Sequence, residues 1–483
     1  MTIARTAVIL LLLPAICSAA TIFVPDNYPI IQDAINAAVN GDTVIVRVGT
    51  YTENIDLAGK DIHLKSESGP ALTTIDGNQT GSVVTFTSGE GPGTILEGFT
   101  LTNGNALFGG GIYCSTASPS LVGNVITGNT AGGYGGGIFC SISTAYIGGN
   151  TITQNSSAGE TGGIHCFDSS NPVIHGNLIT ANTSDSNGGG ISCITNSSPT
   201  ISSNVITYNA TYGAGAGILC MDISSPLIVN NIIAWNSVSA ATGGGIYCGY
   251  SSSPEVLNCT ICDNTSGNGG GLFSYSSTPV ITNSIVWNNF PNQISGSTPV
   301  VTYSDVQGGY TGNGNIDTDP LFVDPAGDDH HLTFNSPCRD AGDGSVPNLP
   351  GEDFEGDPRN PGKTVDIGAD EFHTHLYHTG AVTPGGIIKV NVVGTPGAAP
   401  IILALGSGVQ DPPLSTPYGD LYLVLPPVMT FTLGSVPSNG IRTLQATVPL
   451  AWQAGDQRPL QALIGPPGNP ASVLTNLHTL EVE

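Results

Sequence analysis

The stretch GGGIYC, residues 109–114, decides the fold because it returns along the chain in six further copies at a nearly constant spacing. The later copies are GGGIFC from 135, GGIHC from 162, GGGISC from 188, GAGILC from 215, GGGIYC from 243 and GGGLFS from 269. The last residues of successive copies are 26, 26, 27, 27, 28 and 26 positions apart. Self-similarity at a fixed period of this length is typical of chains built from stacked repeats.

A second motif follows the first within each repeat, and in it short β-branched runs alternate with Gly, Asn, Pro and Ser. Examples are SPSLVGNVITGN (118–129), NPVIHGNLITAN (171–182) and SPLIVNNIIAWN (225–236). No run in the repeats has the length of a helix, so nothing is available to cross between strands. The pattern predicts an all-β fold in which each turn of chain stacks on the previous one, a parallel β-helix of about ten coils.

Alternation within each GGGIYC copy predicts which side chains enter the core. In the first copy Ile112 and Cys114 share one face and Tyr113 takes the other, and isoleucine is the more suitable interior residue. We therefore expect the cysteines to be buried, mostly reduced thiols that stack about 4.8 Å from their copies in the next coil. Two columns of asparagine are expected to bond to each other and to turn backbone. They are Asn124, Asn150, Asn177, Asn204 and Asn231, with Cys259 next in register, and Asn129, Asn155, Asn182, Asn209, Asn236 and Asn264.

The segments on either side of the repeats carry a family resemblance. Residues 31–67, which open with the amphipathic run IQDAINAA, resemble the start of secreted β-helix proteins of the pectin-lyase-like superfamily. The GGGI and ITxN pair is similar to the repeats of polymorphic outer-membrane proteins, and residues 317–343 and 353–372 resemble the closing segment of bacterial β-helix repeat proteins. The resemblance implies a right-handed parallel β-helix with a short N-terminal capping helix, and it implies no particular activity.

The sequence predicts that the chain has three parts. Residues 1–20 have the apolar run and small final residues of a signal peptide, with lipidation at Cys17 as an alternative. Residues 21–372 form the predicted β-helix, including its N-terminal cap and an acidic exit segment. Residues 373–483 contain short apolar strands and are predicted to form a β-sandwich accessory domain. The expected location is secreted, extracellular or at the cell surface.

The negative charge of the chain argues against several classes of binding partner. The formal net charge is −26, and no Lys or Arg occurs between Lys65 and Arg339. Nucleic acid and anionic membrane surfaces are bound through basic residues, so neither is an expected partner, and no membrane insertion is expected once the signal is removed. The repeats also lack the basic residue that abstracts a proton in sites of the pectate-lyase type, and the resemblance therefore does not extend to lyase chemistry.

The outward residues of the GGGIYC strands form a lane that is rich in aromatic side chains. Sugar rings along an extended glycan repeat at a spacing comparable to the coil rise of about 4.8 Å, and their apolar faces stack on aromatic rings. A polysaccharide or cell-surface glycan is therefore a candidate ligand. The alternative is that the aromatics only cover a pleated outer face. The candidate ligand-binding residues are Tyr113, Phe139, His165, Tyr247 and Phe273.

Three residues near this lane are candidates for catalysis. Asp168 and Asp222 lie two coils apart, or about 9.6 Å along the axis, near the separation of the two carboxylates in inverting glycosidases. His165 is a candidate proton shuttle beside Asp168. The alternative interpretation is that all three are solvated surface residues.

The exit segment concentrates carboxylates, which suits Ca²⁺. Asp353, Glu355 and Asp357 alternate in the run DFEGD and are the candidate ligands of a structural Ca²⁺, with no other cofactor expected. The alternative is an acidic cap whose aspartates make turns. The run CTIC at 259–262 alternates as a strand and does not favour a metal site.

The sequence leaves three functions open. The first is a non-enzymatic exported protein that binds glycans or another surface along its β-helix. The second is a carbohydrate-active enzyme, a polysaccharide hydrolase rather than a lyase. The third is a structural spacer without a ligand.

Overall fold

The computed structural model of the chain describes residues 19–333, 335–359 and 364–372, and thereafter the backbone of a set of short strands. From residue 21 to residue 306 the chain forms a parallel β-helix whose strands belong to four sheets. The first sheet has twelve strands and the second has eleven, so the chain makes about eleven turns. The predicted parallel β-helix is confirmed, with about one turn more than the ten expected.

One coil passes through the four sheets in a fixed order, from the first sheet to the fourth. The first sheet comprises Thr21–Val24, Thr43–Val46, His63–Ser66, Ile95–Glu97, Ser120–Val122, Tyr146–Gly148, Val173–His175, Thr200–Ser202, Leu227–Val229, Glu255–Leu257, Val280–Thr282 and Val300–Thr302. The second sheet comprises Gly49–Thr52, Thr73–Asp76, Thr100–Thr102, Val125–Thr127, Thr151–Thr153, Leu178–Thr180, Val205–Thr207, Ile232–Ala234, Thr260–Cys262, Ile285–Trp287 and Asp305–Val306.

The remaining two sheets complete each coil. The third sheet is short and comprises Asn105–Phe108, Thr130–Tyr134, Ser156–Ser157, Thr183–Ser184, Ala210–Thr211 and Ser237–Val238. The fourth, which we call the cysteine sheet, comprises Ile55–Asp56, Val84–Phe86, Ile112–Ser115, Ile138–Ser141, Ile164–Phe167, Ile191–Ile194, Ile218–Cys220, Ile246–Gly249, Leu272–Tyr275 and Ile294–Gly296.

In-register pairing stacks equivalent residues of successive coils. Cys114 pairs with Cys140, Cys140 with Cys166, and the column continues to Ser274. The nine cysteines from Cys114 to Cys338 are all buried and form no disulfide within the described part of the chain. The predicted inward cysteine column is confirmed.

The asparagine columns satisfy the backbone at the corners of the coil. Asn155 is fully buried, and its side-chain N–H groups donate to the Ile126 carbonyl at 2.8 Å and to Asn182 Oδ1 at 3.0 Å. The same pattern repeats along both columns, and Cys259 continues the first column by accepting the backbone N–H of Asn231 at 3.5 Å. Burial of these turns is tolerated because each coil supplies hydrogen-bond partners to its neighbour.

Backbone geometry requires glycine at two positions of the repeat. Gly109 has a φ of +59°, in the left-handed region that favours glycine. A Cβ on Gly111 would lie 2.6 Å from the carbonyl oxygen of Gly137 in the next coil. Close approach of successive coils therefore requires glycine at the end of the GGG run.

A seven-residue helix, Ile31–Ala37, closes the N-terminal end as predicted. Ile31, Ala34 and Ile35 are buried against the first coil. Glu53 accepts the backbone N–H groups of Ile31 at 2.8 Å and Gln32 at 2.9 Å, which fixes the start of the helix.

The exit segment (residues 317–372) folds back over the outside of the last coils. It contains the antiparallel strands Phe322–Asp324 and Asp329–Leu332, the 3-10 turn Pro325–Gly327, and the antiparallel pair Gly342–Asp343 and Thr364–Val365. Ala369 N–H donates to Thr260 Oγ1 at 3.1 Å, and Asn230 Nδ2 donates to the Glu352 carbonyl at 2.6 Å. These contacts hold the segment against the second sheet and the turn that precedes it.

After residue 375 the described strands pair antiparallel. They are Leu376–Thr379, Ile387–Val393, Ile401–Leu405, Val409–Thr416, Gly419–Leu423, Met429–Gly434, Ile441–Thr447, Gln457–Ile464, Val473–Leu474 and His478–Glu481. The predicted β-sandwich concerns residues whose packing lies outside the described part of the chain, as does the predicted signal peptide up to residue 18. Among the described helices, none has the length and apolar character that crossing a membrane requires.

Candidate functional site

The aromatic lane exists, but most of its rings are covered. Phe139 pairs in register with Tyr113 and His165, and its ring stacks on theirs at centroid distances of 5.7 and 5.6 Å. Phe139 is 5% exposed, His165 1% and Tyr247 9%. These three rings are buried because the stacked rings cover one another's faces, and their role in ligand binding stays a prediction. Tyr113 and Phe273 are only partly buried.

His165 and the two aspartates do not form an acid–base site. Burial lowers the pKa of His165 to about 3, and its Nδ1 lies 2.8 Å from Thr161 Oγ1, so the imidazole is neutral and not a proton shuttle at neutral pH. Asp168 and Asp222 occupy left-handed turn positions with φ of 53° and 55°. Their carbonyl oxygens accept backbone N–H groups of the preceding coil. The turn interpretation describes both residues better than the catalytic one.

Two of the predicted Ca²⁺ ligands, Asp353 and Glu355, make other contacts. Asp353 is buried, and its Oδ1 accepts the backbone N–H groups of Glu355 and Asp357, both at 2.9 Å. Its Oδ2 accepts the N–H of Glu371 at 3.0 Å. The Glu355 carboxylate instead contacts His331. The described residues show no cluster in which Asp353, Glu355 and Asp357 converge, and a structural Ca²⁺ stays a prediction.

The exit segment brings a different set of donors together. Cys262 ends a strand of the second sheet with its side chain outward, and Asp263 follows in a left-handed turn with a φ of 58°. His330, on the strand Asp329–Leu332, covers them. One ligand atom from each of the three residues lies within 4.8 Å of the other two, and His330 Nε2 lies 4.0 Å from Asp263 Oδ2. We call this set the Cys262 cluster.

Polar groups in the Cys262 cluster are deeply buried. Cys262 is 0% exposed and His330 3%. Neither ring nitrogen of His330 has a hydrogen-bond partner. Burial, reinforced by the neighbouring Asp263 carboxylate, raises the pKa of the Cys262 thiol well above its usual range. Burying an imidazole without hydrogen-bond partners costs free energy, and a ligand bound to a ring nitrogen would reduce that cost.

A cavity of about 210 Å³ leads to the cluster. Its walls are outward residues of the second sheet, including Val205 and Ile232, and exit-segment residues, including Asp328 and His330. Tyr208 donates from its hydroxyl to Asp328 Oδ1 at 2.7 Å, which ties the second sheet to the strand that carries His330. A small ion can reach His330 from this cavity without unfolding a coil.

Sequence reasoning missed this cluster because its members are distant along the chain. Two signals pointed toward it: the adjacent pair His330–His331, and strand alternation that turns Cys262 outward when Ile261 faces the core. Only the return of the exit segment over the second sheet brings the two together.

Comparisons with known proteins agree with the fold. A family model described as "Periplasmic copper-binding protein (NosD)" matches residues 35–244 and 97–319, which together span more than half of the chain. The crystal structure of pectate lyase Pel9A is similar with a TM-score of 0.46 and 14% sequence identity, over 74% of this chain and 98% of that chain. No curated protein sequence matches. Because the family model covers most of the β-helix, the chain belongs to the NosD family of periplasmic β-helix proteins.

Proposed function

We propose that this protein is an exported β-helix protein that binds copper at the Cys262 cluster. The observation that carries the proposal is the buried imidazole of His330, whose two ring nitrogens lack hydrogen-bond partners and which lies beside a free thiol. The family model is that of a periplasmic copper-binding protein, and copper is a metal that such donors suit.

The donor set fits a soft metal ion. Thiolate sulfur selects Cu(I), and imidazole also suits copper. Cys262 would supply the thiolate and His330 a ring nitrogen, with the Asp263 carboxylate beside them. The thiol must lose its proton to bind metal, and its pKa is raised by burial and by Asp263. Copper affinity should therefore increase with pH.

The surrounding charge also favours a cation. The coils that form the cluster and its cavity belong to the stretch between Lys65 and Arg339, which contains no Lys or Arg. Asp328 lines the cavity that leads to His330. No fixed positive charge on these coils opposes a cation that approaches the site.

The test is a Cu(I) titration of the full chain against a colorimetric chelator, under anaerobic and reducing conditions. We expect Cys262→Ser and His330→Ala each to abolish the tightest copper binding. Cys166→Ser removes an equally buried thiol from the cysteine column and is the matched control. Circular dichroism checks that each variant is folded. Loss of the tightest binding in Cys166→Ser, with wild-type binding in Cys262→Ser, would overturn the proposal.

Glycan binding along the aromatic lane is a second candidate. It is favoured by the partial exposure of Tyr113 and Phe273 near the two ends of the lane. Calorimetry with a polysaccharide panel should show weaker binding for Tyr113→Ala and Phe273→Ala than for the wild-type protein. Equal binding by both variants would leave copper as the better function.

A further inference from the structure

We propose that the exit segment carries a second metal site, in which His331, Glu355 and Asp370 bind a divalent cation of the Zn²⁺ or Mn²⁺ type. This set, the His331 cluster, shares no residue with the Cys262 cluster. It offers one nitrogen and carboxylate oxygens without sulfur, which suits a borderline or hard cation and not Cu(I). The inference does not depend on copper binding.

The ligand atoms of the His331 cluster already converge. One atom from each residue lies within 4.8 Å of the other two, and His331 Nε2 lies 2.7 Å from Glu355 Oε2. His331 follows His330 on the strand Asp329–Leu332, and strand alternation directs the two rings to opposite faces. One short strand therefore contributes one imidazole to each cluster.

Asp370 provides the independent sign of a ligand. It is 3% exposed, and its Oδ2 accepts the backbone N–H of Leu332 at 2.8 Å. Its Oδ1 is buried and has no hydrogen-bond partner. An orphaned carboxylate oxygen in a protein interior is costly, and coordination to a cation would satisfy it.

A neighbouring carboxylate orients the imidazole for coordination. Asp329 Oδ1 lies 2.6 Å from His331 Nδ1, on the far side of the ring from Glu355. A histidine that binds a metal through one nitrogen typically donates its other N–H to a carboxylate, which fixes the tautomer and increases ligand basicity. Asp329 supplies that arrangement with Nε2 directed at Glu355.

Local charge favours a divalent cation. The carboxylates of Glu355 and Asp370 belong to the cluster, and the carboxylate of Asp329 lies 2.6 Å from His331 Nδ1. The carboxylates of the cluster thus repel one another, and a single protonated imidazole only partly balances them. A dication would neutralise the cluster more completely.

Solvent can reach the cluster through Glu355. This residue lines an open cleft of about 580 Å³ between the exit segment and the edge of the first sheet, where His175 ends one strand and Asn230 follows another. The cavity of about 210 Å³ beside His330 is also lined by His331, so both clusters border it.

The experiment measures Zn²⁺ and Mn²⁺ binding to the chelator-treated full chain by calorimetry and by metal analysis after gel filtration. Asp370→Asn and Glu355→Gln should each weaken binding by at least about 100-fold, and Asp329→Asn by about 10- to 100-fold. Glu352→Gln, an exposed neighbour, should bind as the wild type does. His330→Ala should retain this binding although it loses copper, so the two proposals fail separately.

Three outcomes would overturn the second site. The first is that the wild-type chain binds neither ion, which would leave the cluster as an ion pair of His331 with its carboxylates. The second is wild-type affinity in Asp370→Asn. The third is that Cys262→Ser removes Zn²⁺ binding, which would assign the ion to the Cys262 cluster. A zinc-induced increase in thermal stability, absent in Asp370→Asn, supports the site independently of the titration.

Discussion

Asn182 illustrates how one amide holds three coils together. Its Oδ1 accepts the backbone N–H and the side-chain N–H of Asn155 in the preceding coil at 3.1 and 3.0 Å. Its Nδ2 donates to the Ile152 carbonyl of that coil at 2.8 Å and to Asn209 Oδ1 of the following coil at 3.0 Å. Asn182→Ala would leave buried backbone groups without partners. We expect a loss of at least about 2 kcal/mol in the free energy of unfolding, measured in urea. Asn171→Ala, at an exposed turn, should cost much less, and an equal cost would contradict the role assigned to the column.

The buried His165 makes stability depend on pH. In the folded chain the pKa of His165 is about 3, below the ordinary value of 6.5. Between these two pH values the unfolded chain binds a proton at His165 and the folded chain does not. The contribution of His165 to stability is therefore fully present above about pH 6.5 and is lost as the pH falls toward 3. Between pH 7 and pH 5 the contribution of His165 falls by about 2 kcal/mol. His165→Gln should show a correspondingly smaller loss in urea unfolding, whereas an identical pH profile would show that the imidazole is protonated when folded.

The position of Cys114 could be predicted because alternation in a short strand allows only two faces and isoleucine selects the inner one. The burial of His165 could not be predicted in this way. The rings that cover it come from elsewhere, such as Tyr134 in the third sheet of the preceding coil, with centroids 5.1 Å apart. Strand alternation shows that a side chain points outward, but it does not show which neighbours lie above it.

The glycine run before each cysteine strand is a requirement of coil spacing. In Gly111→Ala, the new Cβ would meet the Gly137 carbonyl oxygen at 2.6 Å and Ile126 Cγ2 at 2.7 Å. We expect a loss of about 1–3 kcal/mol in the free energy of unfolding, because the backbone of the next coil has to shift. Gly91→Ala is the control, since nothing lies within 4 Å of a Cβ there. Similar unfolding midpoints for the two variants would contradict this explanation.

The exit segment depends on a buried guanidinium. Arg359 Nη1 donates to Glu371 Oε2 at 2.7 Å, and Nη2 donates to the Ala369 carbonyl at 2.7 Å and to Asn230 Oδ1 at 3.4 Å. Because its side chain is 0% exposed, Arg359→Ala should cost about 3–5 kcal/mol and free the exit segment for proteolysis while the coils stay intact. Arg47→Ala breaks an exposed pair with Asp26 and should change neither measurement. Resistance of the Arg359 variant to chymotrypsin would show that other contacts hold the segment.

The repeat period predicted the coil architecture because every coil obeys the same spacing. The count was about one turn short because the coils before Gly109 have no GGGIYC copy, although they pair in the same sheets. The candidate metal clusters could not be predicted. They form where the exit segment returns to the second sheet, and no periodicity relates His330 to Cys262.

The most direct test of the copper site is an anomalous difference map, recorded at the copper absorption edge, from crystals of the Cu(I)-loaded protein. We predict a peak within bonding distance of Cys262 Sγ and a ring nitrogen of His330, beside Asp263. Peaks that lie only along the column from Cys114 to Cys248, or only at surface residues, would contradict the account.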